Sequence, residues 1–205
     1  MSIVKHIDYA NIDYSMNAYY FGWTKDELSA LKKQYLSQYY SKYYGNSDDI
    51  CFEITDNNGN IYYAIFRAGI PDTYHVTNPK SYLLFKDQNR LLINVGHQFY
   101  RFLIKENAIL DDSCYNGIIC DSQYLSSKPL VLHEVMIIVD DEGIAAINWD
   151  GVLWKEEFYW ASAGYLRLMP FDSNHISAEY YDPAKGCDYR LVFNMQNGSY
   201  KEVKL

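Results

Sequence analysis

Residues 131–160 read VLHEVMIIVDDEGIAAINWDGVLWKEEFYW, and two turn signals, Asp141-Glu142-Gly143 and Asp150-Gly151, divide them into three extended runs. Asp and Gly both tolerate positive φ, so Asp150-Gly151 favours the two-residue type I′ hairpin whose twist matches its flanking strands. Counting outward from that turn sets Trp149 against Val152 and Ile147 against Trp154, which gives one face four large apolar groups. The other face pairs Asn148 with Leu153, Ala146 with Lys155 and Ile144 with Glu157, and reads as half-solvated. A slip of one residue would exchange the faces, so burial is expected to hold this register. The preceding run, 131–139, is apolar on both faces except at His133 and Glu134, which predicts one central strand covered on both sides.

Downstream, apolar alternation predicts strands over 165–169, 176–181, 189–195 and 200–205, with Asn197-Gly198 as a hairpin turn. The last of these carries Lys201, Glu202 and Lys204, the decoration expected of a sheet edge that must not aggregate. Upstream, ICFEIT-DNNGN-IYYAIFR is a hairpin about Asn58-Gly59, with Phe52 opposite Ile65 and Ile54 opposite Tyr63. A second hairpin joins 82–86 to 90–95. Residues 97–110 fit a helical stripe or a strand equally, and 111–129 read as a loop with an apolar island at Ile118-Ile119.

Residues 1–22 read as irregular or weakly helical. Thr24 and Glu27 then have capping-box spacing, with Trp23 and Leu28 as the hydrophobic staple. Leu28, Leu31, Tyr35, Tyr39 and Tyr43 recur every three or four residues, and Gly45 is placed to stop the run. An amphipathic helix over about 24–44, packed across a sheet, is the expectation. No Pro/Ser-rich linker divides the chain. The fold class predicted is α+β, a single domain over 1–205 with a mainly helical front segment, 1–46, and a β-rich antiparallel meander, 47–205.

Composition narrows the function. Of 205 residues 49% are apolar, which excludes general disorder, and no run approaches the roughly 18 apolar residues of a membrane-spanning helix. The opening MSIVKHIDYANIDY lacks a signal-peptide core, so a cytoplasmic location without membrane contact is expected. Cys51, Cys114, Cys120 and Cys187 form no CxxC pair, and reduced thiols are expected. The net charge of −8 is unevenly placed: 106–157 holds eleven acidic residues against Lys128 and Lys155, or −9, leaving about +1 elsewhere. Phosphate binding needs clustered Lys and Arg, so nucleic acid is not an expected ligand. Twenty-two tyrosines, nine of them in the first 44 residues, add rigid contact area with polar tips.

No catalytic or cofactor motif stands out. His133-Glu134 begins an HExxH pattern, but position 137 is Ile, and His6, His75, His97 and His175 lack ligand spacing. No metal site and no cofactor are expected. There is no G-x-S-x-G elbow, phosphate loop or dinucleotide turn. A Cys–His pair, such as Cys114 with His97 or Cys120 with His133, would have to be assembled by the fold. The carboxylate pairs Asp48-Asp49, Asp111-Asp112 and Glu156-Glu157 would have to share a cleft to act as acid and base.

The hairpin register brings Glu156 and Glu157 to the same end of the middle strand as Asp140, Asp141 and Glu142, with Asp150 at the far end. Five clustered carboxylates repel unless solvent or a partner neutralises them, so these five are the candidate partner-binding residues. The function expected from this pattern is protein binding: an immunity-protein-like or antitoxin-like module that captures a basic protein through an acidic, Tyr-bearing surface. The alternatives are a hydrolase of unrecognised type and a carbohydrate-binding β-module that stacks sugars on Trp149, Trp154 or Trp160.

Overall fold

The computed structural model describes residues 2–7, 18–21, 50–66, 80–95, 98–111, 113–115, 130–139, 143–157, 167–182 and 185–205. Of these residues 71% are strand and 2% helical, which corrects the α+β expectation: the described chain is β throughout, and no α-helix packs on a sheet among the described residues. The helix expected over 24–44 lies outside the described residues. Within the supposed helical front, β1 (Ile3–Ile7) and β2 (Ala18–Phe21) are strands. Both are short, and β2 runs parallel to a strand more than forty residues later in sequence, a pairing that no local pattern announces.

The chain forms two compact units, Met1–Lys80 with Leu84–Leu110, and Ser81–Leu83 with Asp111–Leu205. In the first unit, β3 (Ile50–Thr55) and β4 (Ile61–Phe66) form the centre of a sheet ordered β1-β3-β4-β2. A second sheet is the meander β5 (Lys80–Leu84), β6 (Arg90–Val95), β7 (Gln98–Leu103) and β8 (Ala108–Leu110). The residues 97–110 that fitted helix or strand are therefore largely a hairpin, turned at 104–107 with Asn107 at positive φ. Alternate residues of the two sheets meet in one core, Phe52, Ile54 and Phe66 against Leu91, Ile93 and Phe102. The opposite face of β3 and β4 buries Cys51, Tyr63 and Ile65 beside Ile7, Ala18 and Tyr20. That double burial explains why both strands read as near-continuous apolar runs.

The second unit pairs two meanders. One comprises β9 (Leu130–Leu132), β10 (Val135–Val139), β11 (Gly143–Asn148) and β12 (Gly151–Glu157). The other comprises β13 (Arg167–Pro170), β14 (His175–Asp182), β15 (Cys187–Asn194) and β16 (Tyr200–Lys204), close to the four strands expected. Their shared core joins Ile137, Val139, Ile144, Ala146 and Trp154 to Ile176, Ala178, Leu191 and Phe193.

The single strand expected over 131–139 is instead two. His133 and Glu134 both take positive φ, 47° and 62°, and form the two-residue turn between β9 and β10. Such φ values at both central positions mark a type I′ turn, usually supplied by Asn or Gly, which is why the polar pair read as a lapse within a strand. β10 is nonetheless buried on both faces, since Met136, Ile137, Ile138 and Val139 are all inaccessible.

Two hairpin registers also differ from expectation, by one residue in the first hairpin and by two beside the Asp150 turn, and Asx side chains are the cause. Asn148 Oδ1 accepts from the Asp150 amide at 2.9 Å, so Trp149 and Asp150 are the turn and Asn148 faces Gly151. A bulge at Leu153 then shifts the ladder, and Trp154 lies across from Ala146 instead of Ile147. In the first hairpin, Asp56 Oδ1 accepts from the amides of Asn58 and Asn60, both at 2.8 Å, and Gly59 sits at φ 83°. This longer loop, closed by Asp56 N–H on the Asn60 carbonyl, pairs Phe52 with Ala64 and Ile54 with Tyr62. Asp87, Asp172 and Asn194 make the same side-chain-to-amide turn in three other hairpins.

Candidate functional site

Among the expected partner-binding residues, Glu156 and Glu157 are described and Asp140, Asp141 and Glu142 lie outside the described residues. β12 places the two described carboxylates at the end of an edge strand, opposite Ile144 and Gly143 respectively. They therefore reach the start of β11, which directly follows 140–142 in the chain, one residue displaced from the sequence-derived register. Adjacent strand residues project to opposite faces, so Glu156 and Glu157 present their carboxylates on different sides of the sheet. Asp150 sits in the turn at the far end, as expected.

Gly143 is what lets β12 approach here. A Cβ at that position would stand 2.1 Å from the Glu156 carbonyl oxygen, inside any van der Waals contact. The Glu157 carboxylate meets the Lys155 ammonium at 3.4 Å along the same strand face, so one of the two acids is partly neutralised within the chain. Exposed ion pairs of this kind contribute about 1 kcal/mol or less. Where Leu153 bulges, Val152 and Leu153 are both turned to solvent, 42% and 44% exposed, while Trp154 returns to the core. β12 thus offers solvent an apolar step at its start and carboxylates at its end.

The other sequence candidates are dispersed. His133 lies in an exposed turn, whereas Cys120 and His97 fall outside the described residues, so neither Cys–His pairing is assembled among those described. Trp149 and Trp154 are buried, and the Trp154 indole N–H donates to the Met195 carbonyl at 2.8 Å, a core role that removes both from use as sugar platforms. Trp160 is outside the described residues, as are Asp48, Asp49 and Asp112. No group of three or more His, Cys, Asp or Glu among the described residues is placed to hold a metal ion. No helix among them is long and apolar enough to cross a membrane.

The tyrosines divide. Tyr63, Tyr100, Tyr115, Tyr180 and Tyr189 are core residues, whereas Tyr19, Tyr82, Tyr181 and Tyr200 are exposed. One aromatic and polar group was invisible in the sequence because β14, β15 and β16 each supply part of it. Tyr180 and Tyr189 stack at 5.4 Å, Tyr180 OH donates to Glu202 at 2.8 Å, and Lys185 lies 4.7 Å over the Tyr189 ring while bridging Asp182 at 3.3 Å. Burial, then the bond to Glu202, pushes the Tyr180 phenol well above its usual range. Its bond to Asp182 raises the Lys185 ammonium as well, so both stay protonated and fix the geometry.

No family model matches the chain, and no curated protein matches it.

Proposed function

We propose that this chain is a protein-binding module that captures a basic protein partner, in the manner of an immunity protein or antitoxin that occludes a nuclease. The observation that carries the reading is the edge strand β12, where solvent-facing Val152 and Leu153 precede Glu156 and Glu157 on one strand. That strand closes a segment, 106–157, whose charge is −9. An apolar step supplies contact area that water leaves readily, and the surrounding carboxylates steer a cationic partner and set its orientation. Buried tryptophans and dispersed Cys and His weaken the carbohydrate and hydrolase alternatives.

The test is retention of proteins from the source cell's extract on immobilised parent chain, at low and high salt. A parallel column carries Asp140, Asp141, Glu142, Glu156 and Glu157 all changed to Lys. The expected result is a basic protein held by the parent alone, released as salt rises, and bound again when purified. Equal retention on both columns, or none on either, overturns the proposal.

A further inference from the structure

A sheet edge left bare invites pairing, and the edges of the second unit differ in how far they are protected. β9 has three residues, β12 carries a bulge at Leu153, and β13 ends on Pro170. β16 has none of these devices. It is five residues long, its side chains are exposed throughout, and Val203 and the following Leu205 are 50% and 53% accessible. Its charges, Lys201, Glu202 and Lys204, are the protection that sequence alone would assign to it.

Among the described residues no strand pairs with the outer side of β16, and the ladder shows which of its backbone groups face that side. Leu205 N–H donates to the Asp188 carbonyl at 2.9 Å, and Asn194 N–H donates to the Ser199 carbonyl at 2.7 Å. With Arg190 opposite Val203 and Val192 opposite Lys201, residues 201, 203 and 205 direct their amides and carbonyls toward β15. Residues 202 and 204 direct theirs outward.

We infer that β16 is a self-association edge, which pairs antiparallel with β16 of a second copy about a two-fold axis at Val203. In that register Glu202 stands directly opposite Lys204 of the other copy, and the same pair recurs by symmetry. Both residues carry outward backbone groups, so each pair closes two hydrogen bonds. Val203 meets its own counterpart, and Lys201 lies beside Leu205. The other registers that suit the outward groups, centred on Lys201, Glu202 or Lys204, would each set one of these charges face to face with its own counterpart. Like charges directly opposite are destabilising, so charge selects the first. The inference uses β16 alone and is independent of the acidic surface on β12.

Sedimentation of the full chain from low micromolar to near-millimolar concentration reads the result. The parent is expected to pass from monomer to dimer. Lys204→Glu and Glu202→Lys each make both symmetric pairs repulsive, and each is expected to raise the dissociation constant about tenfold or more. Mixed one to one, the two variants again set opposite charges together at both positions, so a mixed dimer of near-parent affinity is expected. Circular dichroism of each variant checks that the sheets persist after the Tyr180–Glu202 bond is lost. A parent that stays monomeric throughout overturns the inference. So does a dimer indifferent to Lys204→Glu, or two folded variants that fail to associate on mixing.

Discussion

A Cβ added to Gly198 would lie 2.8 Å from Cδ2 of the Trp154 indole, so the β15–β16 turn and the Trp154 ring occupy touching surfaces with no room between them. The same indole stacks 6.0 Å from Phe193, nearly parallel, and donates to the Met195 carbonyl. Trp154 is therefore the point where the two meanders of the second unit are keyed together.

Gly198→Ala combines a steric conflict with a backbone φ of 72° that only glycine adopts without strain. The expected loss is about 2–4 kcal/mol of unfolding free energy. Denaturant unfolding followed by tryptophan fluorescence measures it. A stability equal to that of the parent would mean the turn does not rest on the indole.

Trp154→Phe keeps an aromatic ring in the core but leaves the buried Met195 carbonyl without its indole donor. An additional cost of about 1–3 kcal/mol is expected, on top of the smaller ring's lost packing. Trp154→Ala should cost about 3–5 kcal/mol. Chemical denaturation midpoints at constant m-value would rank the two.

Asp56 and Asp172 should set the acid limb of stability. Asp56 is held below its ordinary value first by the Asn60 side-chain amide, and Asp172 first by the Asn174 backbone amide. Both have depressed folded values, so their contribution is present above the unfolded value near about 4 and is lost as pH falls through the folded value. Asp56→Ala should lower stability at neutral pH and flatten its decline below about pH 4. Thermal unfolding measured from neutral to strongly acid pH would show an unchanged slope if the Asx turn contributes nothing.

Tyr62 should act at the alkaline end. Burial raises its phenol from 10.0 to about 12, and its hydroxyl donates to the Ile104 carbonyl at 2.9 Å. Between those two values the unfolded chain has released a proton that the folded chain retains, so stability falls as pH rises across the window. Tyr62→Phe removes that dependence and costs about 1 kcal/mol at neutral pH. An ultraviolet titration in which every tyrosine ionises near pH 10 while the protein remains folded would contradict the assignment.

Most strands announced themselves through period-two alternation. β14 and β15 do so because one face of each joins the core while Glu179 and Arg190 pair across the other. Turn chemistry was recognisable in kind but not in length, because whether Asp56 or Asn148 caps a loop depends on where its side chain finds amides. The Asp56 cap moved its register by one residue, and the Asn148 cap moved its own by two before the bulge at Leu153 took one back. His133-Glu134 was missed because a turn with positive φ at both central positions is usually signalled by Asn or Gly. β1 and β2 were missed because their partners are distant in sequence. As for the candidate site, the hairpin correctly brought Glu156 and Glu157 to the Gly143 end of β11. The opposed projection of the two carboxylates follows from strand alternation alone, whereas the Lys155 contact and the bulge that exposes Leu153 needed the ladder itself.

The most direct measurement is amide hydrogen exchange on the parent chain with and without its captured basic partner. If β12 is the binding edge, protection should rise over residues 151–157 and be lost in the variant with the five carboxylates changed to Lys. Protection confined to other strands, with exchange over 151–157 unchanged, would contradict the claim that this strand receives the partner.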